Sequence, residues 1–149
     1  MKKHRRNLPL LLLSVREKVR HGFQPVFRQF GITEQQWRIL RQLYERHDMG
    51  VTQIADACLI LAPSIVGIIP RMEALGLVVR KPVANDRRRA NISLTPKGTE
   101  MVEQILPRLD TIYQELEDSL GKDRMQELFR ILDEVGARLA EVQAAAPQD

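Results

Sequence analysis

The chain has 149 residues, which is enough for one domain or for two small ones that share a core. Its 44% hydrophobic and 28% charged residues are typical of a globular protein and exclude an intrinsically disordered one. No apolar run reaches the roughly 18 residues that a transmembrane helix needs, so we expect no membrane contact. The single cysteine, Cys58, excludes an internal disulfide and fits the reducing cytoplasm.

Charge is distributed unevenly along the chain. Residues 1–99 contain 18 Lys/Arg and 7 Asp/Glu, whereas residues 100–149 contain 5 and 12. The basic part favours a polyanionic partner such as nucleic acid. The basic residues and leucines of segment 1–13 are similar to a short signal sequence, but charged residues follow without a small-residue cleavage site. We therefore expect a cytoplasmic protein.

The first predicted helix begins after Asn7, whose side chain is a good N-cap. It ends at Phe30, because Gly31 allows the left-handed backbone that stops a helix. Pro25 removes a hydrogen bond inside this helix and predicts a bend.

Three further helices are predicted before residue 77. Thr33 with Gln36 three residues later is a capping box that opens the second helix. Thr52 is the predicted cap of a short third helix. Pro63 suits the first turn of a fourth helix, which ends before Gly76.

The pattern then changes to that of strands. Residues 77–81 and 90–94 have strand character, and the turn residues Asn85 and Asp86 between them predict a β-hairpin. A fifth helix opens at Thr95–Pro96, with a bend expected at Pro107, and a sixth follows Gly121. The predicted class is mainly α with a small β-hairpin (α+β).

Two short helices followed directly by a hairpin predict a winged helix-turn-helix. The second helix of such a pair enters the major groove of DNA, a role that falls here to the fourth predicted helix. The three arginines after Asp86 are predicted to lie on the hairpin tip and to contact phosphates or the minor groove, with Asp86 holding Arg88. The predicted DNA-binding residues are Thr52, Gln53, Pro63, Ser64, Ile65, Gly67, Ile68, Arg71, Asp86, Arg87, Arg88 and Arg89.

Long apolar stripes in the terminal helices predict a homodimer, since a monomer would expose them. Two-fold pairing sets two recognition helices about one DNA turn, roughly 34 Å, apart. Residues 8–32 and 97–146 are therefore predicted to dimerise, and residues 33–96 to form the winged module. The stripe residues are Leu8, Leu11, Leu12, Val15, Val19, Leu109, Ile112, Leu116, Leu120, Met125, Leu128, Leu132, Val135, Leu139 and Val142.

Several short motifs form a family pattern. They are Thr52-Gln53-Ile54-Ala55, Pro63-Ser64, residues 73–78, Asp86-Arg87-Arg88 and residues 93–98. With them the chain resembles the MarR family of bacterial regulators over nearly its whole length. Residues 33–38, Ala62-Pro63-Ser64 and Gly67 resemble the branch that represses homoprotocatechuate and hydroxyphenylacetate degradation. The resemblance implies a dimeric repressor, a palindromic operator on double-stranded DNA, and a small aromatic acid as effector that releases it.

The chain departs from the family pattern in its fourth helix. Ile65 and Ile68 stand where many members carry polar or basic residues, so we expect readout through thymine methyls, DNA shape and the wing. Pro70 inside this helix predicts a bend between Gly67 and Pro70.

An aromatic carboxylate needs a cation and apolar walls. Arg16 and Arg20 lie four residues apart on one predicted helix face, so the first choice for the carboxylate is Arg16. The plainer alternative is that the aromatic residues belong to the core and the arginines to the surface. The predicted effector-binding residues are Arg16, Arg20, His21, Phe23, Phe27, Trp37 and Arg38.

Other functional classes find little support. The three histidines lie far apart without metal-ligand spacing, and no phosphate-binding loop or nucleophile motif is present, so we predict no enzyme, no metal and no cofactor. Cys58 is either a redox switch or, as we favour, a small buried apolar residue. A regulator without a small-molecule effector and a protein-interaction adaptor remain as alternatives.

Overall fold

A computed structural model of the chain describes residues 6–145, apart from the side chains of residues 87 and 88. It confirms the predicted mainly helical fold with a β-hairpin and adds one short strand. The elements are α1 (Leu8–Gln29), α2 (Glu34–Arg46), β1 (Met49–Gly50), α3 (Val51–Cys58), α4 (Ala62–Ala74), β2 (Val78–Val83), β3 (Asp86–Leu94), α5 (Pro96–Leu120) and α6 (Lys122–Ala145).

The caps of α1 and α2 are the predicted ones. The side chain of Asn7 accepts a hydrogen bond from the backbone N–H of Leu10 at 3.0 Å, and Gly31 has a φ of 68°. The Thr33 hydroxyl accepts from the N–H of Gln36 at 3.1 Å, and the Thr33 N–H donates to the Gln36 side chain at 2.9 Å. Both helices therefore begin where local sequence fixes them.

The predicted start of α3 was wrong. The N-cap is Gly50, whose N–H donates to the side chain of Gln53 at 2.9 Å, and Thr52 lies inside the first turn. The cause is β1, which pairs Met49 with Ile92 of β3 and keeps the chain extended as far as Gly50. The resulting antiparallel sheet has the order β1-β3-β2.

The chain divides between Leu109 and Asp110 into two compact units. The core of the first unit joins one face of α2, the short helices, the sheet and the start of α5. Its most deeply buried side chains are Ile39, Leu40, Leu43, Ile54, Ile65, Ile69, Met72, Leu77, Ile92, Val102 and Ile105.

The start of α5 is held against the end of the helix pair. The Thr95 hydroxyl donates to the carbonyl of Gly76 at 2.6 Å and accepts from the N–H of Gly98 at 3.0 Å. A Cβ at Gly98 would overlap the carbonyl oxygen of Leu77, so only glycine allows this close approach. These contacts fix the root of the hairpin to the end of α4.

Within residues 6–145, no helix taken singly has the length and apolar composition to cross a membrane. Helices α3 and α4 would be long and apolar enough only if they were taken together, and the chain bends by 111° between them.

Candidate nucleic-acid interface

Helices α3 and α4 form the predicted helix pair. Leu59 adopts the left-handed conformation with a φ of 51°, and the N–H of Ile60 donates to the carbonyl of Ala55 at 2.9 Å. The pair is bent by 111° at this three-residue turn. This tight turn is the geometry by which a helix-turn-helix presents its second helix.

Helix α4 has one buried face and one exposed face, and the structure corrects two predicted contacts on it. Ile65 is 2% exposed and Ile68 is 7% exposed, so the prediction that these side chains contact thymine methyls is wrong. They belong with Ile69 and Met72 to the i, i+3, i+4, i+7 stripe of a core-facing helix. That periodicity is visible in the sequence and would have identified them.

The exposed face of α4 carries the other predicted contacts and one missed residue. Pro63, Ser64, Gly67 and Arg71 are all exposed. Val66, which we did not predict, is 69% exposed between them. The α4 helix continues through Pro70 to Ala74, and the bend there remains a prediction.

The hairpin differs from its prediction at the tip. The turn is Ala84–Asn85, with Asn85 at a φ of 68°, and the segment Asp86–Arg89 belongs to β3 instead of a loop. The left-handed residue is Asn85, so the strand begins immediately after it. The predicted hydrogen bond from Arg88 to Asp86 involves a side chain outside the described residues and remains a prediction.

The strand pairing is irregular where the arginines lie. Pro82 pairs with Ala90, whereas Val83 pairs with Asp86. Residues 87–89 therefore fall at a register shift, where β3 has more residues than β2. Extra residues on one strand form a bulge, and bulges reorient side chains at functional sites. Arg89 is exposed there.

A groove joins the wing to the start of α3. It has a volume of about 660 Å³, and its lining includes Thr52, Gln53, Arg80 and Arg89. Three residues predicted separately as DNA contacts thus lie together. Arg80, which we missed, is held by Glu73 with 3.0 Å between the guanidinium Nε and the carboxylate. A helix start beside guanidinium groups is a suitable environment for a phosphate.

The arginines predicted to bind an effector carboxylate already contact carboxylates of this chain. Arg16 lies 2.7 Å from Glu17 and 3.4 Å from Glu34, and Arg20 lies 2.8 Å from Glu17. Arg38 lies 3.3 Å from Glu34. The two glutamates were missed, although their i, i+3 and i, i+4 spacings to Arg20 and Arg38 were visible in the sequence.

The aromatic residues predicted for the same pocket are mostly core. Phe27 and Trp37 are buried, and their rings stack at 5.8 Å between centroids. A cavity of about 280 Å³ lies beside Phe27 but does not reach Trp37; it is lined by Gln24, Arg28, Ile32, Thr33, Arg20, Phe27 and Glu34. His21 lines a separate cleft, and Phe23 is half-buried in α1. The structure therefore brings together only part of the predicted pocket.

The comparisons with known proteins agree with this geometry. The family model for the MarR family matches residues 30–89, which include α2, the helix pair and the hairpin as far as Arg89. The homoprotocatechuate degradative operon repressor of Escherichia coli is 37% identical over 128 residues, which cover 86% of each chain. The chain belongs to the MarR family.

Two solved structures of MarR-type regulators are similar to this chain, one with a bound small molecule and one with bound DNA. NadR in complex with 4-hydroxyphenylacetate is 37% identical, with a TM-score of 0.78 and coverage of 91% of this chain and 95% of that one. CouR bound to a 23-mer DNA duplex is 26% identical, with a TM-score of 0.80 and coverage of 87% and 92%. The relatives are transcriptional regulators, a class that is not enzymatic.

The single cysteine of this MarR-family chain is buried at the end of α3. Burial raises the pKa of the Cys58 thiol from 9.0 to about 11, and the positive charges of Arg38 and Arg46 offset this only in part. Because the thiolate is the reactive species, a buried thiol of this kind is inert near neutral pH. The backbone carbonyl of Cys58 accepts a hydrogen bond from Arg38 at 2.6 Å. The geometry favours the structural role over the redox role.

Proposed function

We propose that this protein is a homodimeric repressor that binds a palindromic operator and is released by a small aromatic carboxylate. The observation that carries the DNA-binding part is the exposed face of α4 in the same module as the groove between α3 and Arg89. The likeness to a DNA-bound relative supports it. In this proposal residues 33–96 bind DNA, and residues 8–32 and 97–146 dimerise.

Exposed apolar side chains support the dimer. Helix α1 exposes a run of leucines and valines. In the second unit, the apolar side of α6 is exposed as well. Large apolar patches on a soluble chain mark protein–protein contacts. The exposed residues are Leu8, Leu10, Leu11, Leu12, Leu13, Val15 and Val19 in α1, and Leu128, Phe129, Ile131, Leu132, Leu139 and Val142 in α6.

A salt titration of operator binding tests the DNA-binding part. The dimer mass would be measured by light scattering, and the affinity for duplexes selected from a random pool would be measured at several salt concentrations. We expect a steep loss of affinity with salt, with a slope of about −0.9 per phosphate neutralised. Arg88→Ala and Arg89→Ala should each weaken binding and flatten the slope by about one phosphate.

Arg130→Ala is the matched control. Arg130 is exposed in the second unit, where Glu127 and Glu134 pair with it. This variant should keep the wild-type slope. A monomeric protein, or wing variants with unchanged affinity and slope, would contradict the proposal.

The effector part rests on the cavity lined by Phe27 and Glu34 and on the likeness to NadR, whose structure holds 4-hydroxyphenylacetate. In this chain Glu34 supplies the carboxylate that faces Arg16 and Arg38. A ligand carboxylate that binds these arginines must replace Glu34, because both anions need the same donors. Release of Glu34 would also loosen Arg38, which holds the carbonyl of Cys58 at the end of α3.

The effector part is tested with 4-hydroxyphenylacetate as the probe. Thermal stabilisation measures its binding, and operator affinity in its presence measures release. Arg16→Ala should abolish release and keep operator binding, whereas Glu34→Gln should bind the probe more tightly, since the competing anion is gone. Normal release of Arg16→Ala, or weaker probe binding by Glu34→Gln, would contradict the assignment. A wild-type protein that no phenolic or phenylacetic acid stabilises would favour a regulator without an effector.

A further inference from the structure

The outward face of α4 has little capacity for hydrogen bonding between Ala62 and Pro70. The exposed side chains in this stretch are those of Ala62, Pro63, Ser64, Val66 and Pro70, with Gly67 adding none. Of these only the hydroxyl of Ser64 can donate or accept a hydrogen bond. A helix that reads bases with such a face must use shape and apolar contact more than paired hydrogen bonds.

Val66 is the side chain of this face that is best suited to an apolar contact. It is 69% exposed and follows the buried Ile65 in the second turn of α4. A β-branched side chain in a helix has one strongly preferred χ1 rotamer, so its two methyl groups are held in place. Gly67 beside it has no Cβ, and a Cβ built there meets nothing within 4 Å, so the surface next to Val66 is open.

The major groove offers one apolar group that varies with sequence, the C5-methyl group of thymine. We propose that Val66 contacts this methyl group at one thymine in each operator half-site, and that it is a specificity-determining residue of the protein. The inference rests on the proposed DNA-binding function. Arg71 on the same exposed face and Arg89 on the wing favour a nucleic-acid partner over a protein partner for this face.

Replacing thymine by deoxyuridine tests this contact, because the exchange removes the methyl group and keeps the base pairing. The operator would be a duplex that the full-length wild-type protein selects from a random pool. Each thymine would be replaced in turn, and the dissociation constants would be measured by fluorescence anisotropy. We expect one thymine in each half-site at which deoxyuridine weakens wild-type binding about fourfold, as the loss of one buried methyl group predicts.

Val66→Ala should remove that difference at the same thymine, so that the ratio of dissociation constants falls to about one there. Its ratios at all other thymines should not change. Leu61→Ala is the control, because Leu61 is also exposed but lies in the turn before α4. This variant should keep the fourfold ratio.

Two results would overturn the proposal: no thymine sensitive to the exchange in the wild type, or a sensitive thymine whose ratio persists in Val66→Ala. The second result would assign the methyl contact to a side chain other than Val66. Both differ from a failure of the DNA-binding function, in which the wild-type protein selects no duplex at all.

Discussion

Helices α2 and α4 have 13 residues each and belong to the same winged module, but they are built differently. Helix α2 has a complete capping box at Thr33 and an acidic residue, Glu34, in its first turn. Helix α4 has the apolar Leu61 as its N-cap and a proline inside. Both bury an apolar stripe, so the difference lies in their ends and in their exposed faces.

The difference shows which part of the module is optimised for stability. Helix α2 has a capping box, an acidic first turn and a basic last turn, and its side chains form ion pairs such as Arg41–Glu45 at 2.6 Å. In α4 the N-cap side chain makes no hydrogen bond, Pro70 lies inside the helix and Val66 faces solvent. Departures of this kind are expected where a surface is kept for a partner.

The largest expected effect comes from truncating one residue of each helix. Ile39→Ala in α2 should lower the free energy of unfolding by about 2–5 kcal/mol, because Ile39 is fully buried. Val66→Ala in α4 should change it by no more than about 0.5 kcal/mol, since the side chain faces solvent. Urea denaturation followed by circular dichroism measures both. Equal losses would show that the exposed face of α4 is packed in solution.

Pro70→Ala should raise the free energy of unfolding by about 2 kcal/mol. A proline in a helix interior costs about 3 kcal/mol, and the greater freedom of alanine in the unfolded chain offsets about 1 kcal/mol of the gain. Denaturation measures the change, and operator affinity measured in parallel reports whether the predicted bend matters for binding. An unchanged or lower stability would mean that α4 accommodates Pro70 without strain.

Substitutions at the N-caps of α2 and α4 should change the free energy of unfolding in opposite directions. Thr33→Ala should lower the stability by about 1 kcal/mol, because it removes the acceptor for the N–H of Gln36. Leu61→Ser should raise it by about 0.5 kcal/mol, since its hydroxyl offers a side-chain acceptor to the N–H of Ser64, which now bonds only to the carbonyl of Leu61 at 2.9 Å, and Leu61 is 78% exposed and loses little packing. Thermal unfolding of the two variants gives the sign. Changes of the same sign would remove the cap as an explanation of the difference.

The smallest expected effect on function is that of oxidising or alkylating Cys58, which Arg38 of α2 contacts at its carbonyl. Peroxide should leave operator binding unchanged, and alkylation at pH 8 should be slow in the folded protein and fast in urea. Folding raises the pKa of the Cys58 thiol from 9.0 to about 11. The contribution of the neutral thiol to the free energy of unfolding is therefore complete below pH 9 and is lost as the pH rises from 9 to about 11. Fast alkylation of the native protein would show that the end of α3 opens.

The sequence alone determined the features that depend on near neighbours along the chain. The caps at Asn7 and Thr33, the stop at Gly31 and the hairpin between residues 77 and 94 follow from hydrogen bonds and backbone preferences within a few residues. Their combination in order was enough to predict the winged helix-turn-helix class.

Features that depend on residues far apart in sequence emerged only when the chain was folded. Strand β1 exists because Met49 meets Ile92, and this pairing sets where α3 begins. The ion pair of Arg16 with Glu34 joins α1 to α2. The guanidinium that we predicted to receive a ligand carboxylate therefore already has a carboxylate partner in this chain. The apolar stripe of α4 is visible in the sequence, but packing against the core decides how deeply it is buried and leaves Val66, not Ile65, facing solvent.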